Sequence, residues 1–99
     1  MSYDQTRREA YAAAVAAAGR IVATAEAVPT TLDVEFTPWD DQPSLRFYFH
    51  LDVAAVEQFA GQFGGYCTCE VQGASDYTSA RGEFEGFVFT AWTLVERAA

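Results

Sequence analysis

The sequence predicts an α+β domain with the element order α-β-β-α-β-β-β, a five-stranded, mostly antiparallel sheet carrying both helices on one face. Two observations carry this reading. Apolar residues recur at helical spacing over 2–27 and 53–63, and alternate with polar ones at period two through most of the remainder. Gly, Pro and Asp fall between these stretches and mark the turns. At 99 residues, 51% of them hydrophobic, the chain is long enough for one core, so 1–99 is read as a single domain.

The first helix is read over 2–27. Ser2 can cap it with Gln5 completing a capping box, and Asp4 and Arg8 form an i,i+4 pair. Tyr11, Val15, Ala18, Val22 and Ala25 follow a 4-3-4-3 seam, and Val28 before Pro29 stops the helix. Such a helix is about 38 Å long, whereas a domain of this size is only about 32 Å across. It therefore bends at Gly19 or overhangs the sheet. Its Ala-rich face packs tightly on the sheet or serves as a homodimer contact. Arg7-Arg8 ahead of an apolar stretch imitates an export signal, but Asp4, Glu9 and Arg20 fit an amphipathic helix instead.

Residues 31–37 alternate, with Leu32, Val34 and Phe36 facing inward and Asp33 and Glu35 outward. A breaker-rich loop holds Trp39. Residues 44–51 alternate again, with Leu45, Phe47, Phe49 and Leu51 inward and Arg46, Tyr48 and His50 outward. Asp52 caps the second helix, whose inner stripe is Val56, Phe59, Ala60 and Phe63 and which Gly64-Gly65 ends. The third strand, 66–72, sets Cys67, Cys69 and Val71 against Thr68 and Glu70. The fourth, 77–84, puts Arg81 and Glu83 on the polar parity. The last, 87–95, is apolar on both faces and so belongs in the middle of the sheet or under a partner. A right-handed crossover is expected to join the second group of strands to the first.

Fourteen Asp and Glu stand against six Arg and no Lys, a net charge of −8. That sign argues against direct nucleic-acid binding, which works through phosphate contacts. No run of apolar residues is long enough to span a membrane. Cys67 and Cys69 stand two apart, at or beyond disulfide reach along a strand. They are read as reduced, buried thiols in a cytoplasmic protein. Their parity opposes that of His50, so a shared metal site is not expected. No phosphate loop, paired-carboxylate motif or nucleophile elbow is present, and no cofactor is implied.

The outward parities gather Asp33, Glu35, Tyr48, His50, Glu70, Arg81 and Glu83 on the uncovered sheet face, with Trp39 in the nearby loop. These eight are the candidate partner-binding residues. The leading expectation is a small acidic, non-enzymatic protein-binding or regulatory module, a homodimer, whose partner is a protein of basic character. One alternative is an inhibitor of a basic host protein that mimics DNA with its acids. Another is a small-ligand or enzymatic domain with a pocket between the long helix and the sheet, near His50 or the cysteines. The blandest reading makes the −8 a solubility device. Arg46 and Arg81 are expected to pair with Glu35, Glu70 or Glu83; an unpaired Arg on this face would instead mark recognition of an anionic group.

Eighteen Ala, a single Ile and no Asn or Lys suggest a high-GC coding bias. With 50–59 (HLDVAAVEQF) and 86–92 (GFVFTAW), the chain resembles small proteins of unassigned function from actinobacteria and their phages or plasmids. The resemblance covers under half of the chain and implies neither a function nor site residues.

Overall fold

Ser2 starts the first helix, α1 (Tyr3–Thr24), by accepting a hydrogen bond from the Gln5 backbone N–H at 3.1 Å. The computed structural model describes residues 2–97. The capping box does not close, because the Gln5 amide engages Arg8 at 2.7 Å and Glu9 at 3.2 Å. Arg8 is thereby drawn to Gln5, and the expected Asp4–Arg8 pair is not among the ion pairs of the described residues. The helix ends at Thr24, three residues short of the expected end, where Ala25 turns extended.

The buried stripe of α1 is Ala14, Ala17, Ala18 and Ile21, one residue round from the expected seam, and Val15 is 57% exposed. Alanine allows the helix axis to approach the sheet closely, which a row of Val and Tyr would prevent. The helix is unbroken through Gly19. Its N-terminal half carries no buried residue before Ala14. That half is tied down at Phe36, whose carbonyl accepts from Arg7 at 2.7 Å while the Arg7 guanidinium lies 3.9 Å from the ring centroid.

The sheet contains β1 (Thr31–Glu35), β2 (Ser44–Tyr48), β3 (Tyr66–Gln72), β4 (Ser75–Phe84) and β5 (Phe87–Glu96), in the spatial order β1-β2-β5-β4-β3. The element order and the α+β class are those expected. All neighbours are antiparallel except β2 and β5. The doubly apolar β5 takes the centre. Its hairpin with β4 closes through Glu85 and Gly86, both at positive φ, as a type I′ turn requires. In β2, regular pairing stops at Tyr48. Leu51, expected to face the core, has φ +50 and is exposed, because the chain is already turning toward the next helix.

That helix, α2 (Val53–Phe63), is capped by the Asp52 carboxylate, which accepts from Ala55 N–H at 2.9 Å, and ends on Gly64 in the left-handed region. Val56, Phe59 and Ala60 are buried and Phe63 half-buried. Phe59 stands at the centre of the core, 5.0 Å from the Phe47 ring and 5.6 Å from Phe89. Ile21, Leu45 and Ala91 belong to the same cluster, so both helices pack on one sheet face. Gly82 leaves room for Phe89: a Cβ there would lie 2.8 Å from Phe89 Cζ.

The two cysteines correct the sequence reading. Cys67 and Cys69 pair in register with buried Ala80 and Thr78, so they do face the helix side, yet both are exposed. α2 lies chiefly over β4 and β5 and only flanks the edge strand β3, whose seven residues all stay exposed.

Candidate functional site: the open sheet face

Strand alternation turns Thr90, Trp92 and Leu94 of β5 away from the helices, together with Arg46 and Tyr48 of β2 and Tyr77, Ser79 and Arg81 of β4. In register, one row across this face reads Asp33, Arg46, Thr90, Arg81, Tyr66, and the next reads Thr31, Tyr48, Trp92, Ser79, Thr68. Trp92 is the hub. Its ring lies 4.6 Å from Tyr48 and 5.9 Å from Tyr77, and the Arg46 guanidinium sits 5.7 Å from it. An indole flanked by two phenols and a guanidinium forms a broad apolar surface with polar edges.

Neither Arg46 nor Arg81 makes an ion pair among the described residues, where the ion pairs are Arg20–Glu85 and Arg97–Asp76. This corrects the expected pairing with Glu35, Glu70 or Glu83. Arg46 is drawn to Trp92, whose π-face accepts a flat, weakly hydrated cation. Arg81 is exposed beside Thr90, without an acidic partner among the described residues.

The acids lie around this centre. Asp33 stands on edge strand β1, Glu35 and Glu83 at one end of the face, and Glu70 and Glu96 toward the other. Asp40, Asp41, Asp52 and Asp76 lie elsewhere, so the negative charge is not confined to this face.

Two candidates sit at the margin. His50 lies just beyond β2 and shares a 2.7 Å hydrogen bond between Nδ1 and the Tyr48 hydroxyl, and its backbone N–H donates to Thr30 Oγ1 at 2.9 Å. The histidine thus orients Tyr48 toward the edge of the aromatic cluster. Trp39 is 82% exposed in the β1–β2 loop, where Asp40 accepts from the Thr37 hydroxyl and N–H.

His50 also lines a cleft of about 250 Å³ together with Thr30, Phe49, Asp52, Ala55 and Gln58. The cleft opens between the α1–β1 connection and the start of α2, not between the long helix and the sheet. It is smaller than pockets that enclose drug-sized ligands. On edge strand β3, partial burial pushes the Cys67 thiol above its ordinary pKa, with the Glu57 carboxylate and Cys69 adding to the shift. Among the described residues, no three His, Cys, Asp or Glu side chains gather as a metal site would need. No helix of the described residues is long and apolar enough to cross a membrane.

Sequence reasoning placed Arg46, Tyr48, Arg81, Asp33, Glu35, Glu70 and Glu83 on this face but passed over Trp92 and Glu96. The double apolarity of β5 was the available signal: if one parity of that strand fills the core, the other must display Thr90, Trp92 and Leu94. Compared with known proteins, the chain matches no family model, no curated protein and no solved structure.

Proposed function

We propose that this chain is a non-enzymatic protein-binding module, acting as a homodimer, and that its open sheet face takes a protein partner with a basic rim. The observation that carries the reading is the arrangement around Trp92. Aromatic side chains and unpaired arginine occupy the centre, and five acids surround them. Aromatic and arginine side chains at the middle of a patch supply most of the energy of a protein contact. Peripheral charge sets the encounter rate and the choice of partner. A DNA mimic would carry its acids through the middle of the face, where Arg46 and Arg81 stand instead.

The experiment is capture with the intact chain as bait, followed by purification and titration of the identified protein. Trp92→Ala is expected to weaken binding at least tenfold. Raising salt is expected to slow association, because the rim contacts are screened. Unchanged affinity for Trp92→Ala, in a variant that keeps its circular dichroism spectrum, would remove the face from the account.

A further inference from the structure

We propose that β3 is the dimerisation strand: two copies of the chain pair antiparallel along it, centred on Cys69, and join their sheets into one. The inference gives a place to the homodimer proposed above and is independent of the open-face reading.

All seven residues of β3 are exposed. Tyr66 is 77% and Val71 66% exposed, on opposite faces of the strand. The strand has few of the usual protections of a sheet edge: it holds no Pro and no Lys, its one charge is Glu70, and α2 flanks it without burying any of its residues. Tyr66, Thr68 and Val71 are of types that favour extended pairing.

The turn fixes which backbone groups are free. Gln72 and Ser75 flank the two-residue loop Gly73-Ala74, with Gly73 at φ +60, and so form a hydrogen-bonded pair. From there the pairs alternate. Tyr66, Thr68, Glu70 and Gln72 direct their N–H and C=O groups to β4, while Cys67, Cys69 and Val71 direct theirs outward. The Arg97 N–H donating to the Ala74 carbonyl at 2.8 Å fits the same alternation one strand further in.

An antiparallel second copy centred on Cys69 matches this edge throughout. Cys67 faces the other copy's Val71, and Cys69 faces its counterpart, apolar against apolar on the helix side. Thr68 faces Glu70, and Tyr66 faces Gln72, polar against polar on the open side. About six main-chain hydrogen bonds would form from the outward groups. Centring on Glu70 would instead oppose two carboxylates. The opposite edge, β1, is a poorer template for a second copy, because Asp33 and Glu35 occupy a strand of five residues. A contact of one strand per copy is small, so the dimer is expected to dissociate in the micromolar range.

The test is sedimentation equilibrium of the intact chain under reducing conditions over a concentration series. The wild-type chain is expected to reach a dimer at high micromolar concentration. Cys69→Lys, which places two ammonium groups against each other at an exposed site, is expected to stay monomeric with an unchanged circular dichroism spectrum. Val71→Lys, which leaves the centre intact, is expected to weaken the dimer severalfold. A wild-type chain that stays monomeric overturns both the dimer and its location. A dimer that survives Cys69→Lys overturns the location alone. Cross-linking fixes the register. With copper phenanthroline taking up the two electrons, a chain left only Cys69 by Cys67→Ser is expected to form a disulfide dimer. A chain left only Cys67 by Cys69→Ser is not, since those thiols would sit on Cα atoms roughly 14 Å apart. Equal cross-linking of the two chains would contradict the register.

Discussion

Arg20, near the end of α1, grips both carboxylate oxygens of Glu85, 65 residues later in the β4–β5 turn, with Nε 2.8 Å from one oxygen and 3.0 Å from the other. The contact joins the helix to the far end of the central hairpin. It also holds a residue whose φ of +52 would suit glycine or asparagine better.

This pair makes stability depend on pH in a defined direction. The hydrogen bonds from Arg20 are the main cause holding the Glu85 carboxyl below its ordinary pKa. A lowered folded-state pKa gives a contribution that is present above the ordinary glutamate value and lost as pH falls through the folded one. Chemical denaturation of the wild-type chain and Glu85→Gln is expected to show a small deficit for the variant at neutral pH. The deficit should close in the acid range below the ordinary carboxylate value, and at about 1 M salt. A deficit that persists under both conditions would assign the effect to turn conformation instead.

Two glycines are expected to respond to alanine in opposite directions. A Cβ at Gly82 would meet Phe89 Cζ at 2.8 Å and the Gly65 Cα at 3.1 Å, so Gly82→Ala should cost roughly 1–3 kcal/mol. Gly19 is an exposed mid-helix position with nothing within 4 Å of a Cβ, and Gly19→Ala should add about 1 kcal/mol. Thermal melts resolve both, since each kcal/mol is worth roughly 4–8 °C in a domain of this size.

The Thr93 hydroxyl is buried without a hydrogen-bond partner among the described residues. Valine has nearly the same shape and no polar atom to desolvate. Thr93→Val is therefore expected to raise the unfolding free energy by about 1 kcal/mol in a urea titration. A loss of stability would show that the hydroxyl has a partner after all.

The raised pKa of Cys67 has a kinetic consequence, because the thiolate is the reacting species. In the Cys69→Ser chain, the pH midpoint for iodoacetamide labelling is expected above that of a free cysteine. Replacing Glu57 by Gln should bring the midpoint partway down. An ordinary midpoint would contradict the shift.

Periodicity made much of this molecule legible. The α2 stripe, the Asp52 cap, the two-residue gap between 84 and 87 and the central place of β5 follow from local spacing, whereas the expected turn at 73–76 shortens to Gly73-Ala74 because β4 already starts at Ser75. Parity also put Cys67 and Cys69 on the correct side of the sheet. It could not say that α2 leaves the β3 side chains exposed, because coverage depends on where the helix sits across the strands. The α1 stripe was misread by one residue for a related reason: Val15 is more apolar than Ala14, but close approach to the sheet favours the smaller side chain. On the open face, Arg46 had acids within sequence reach. The choice of Trp92 over a carboxylate became visible only once β2 and β5 were seen to be neighbours, a pairing between strands more than forty residues apart.

The central claim is that the open sheet face is the binding surface. Its most direct test is an NMR titration of the isotope-labelled chain with its purified protein partner. The account predicts that the Trp92 indole and the amides of Arg46, Tyr48, Thr90 and Arg81 shift first and furthest, while those of Ala14, Ala18 and Val56 stay in place. Shifts concentrated on α1 and α2, with the Trp92 indole unmoved, would contradict it.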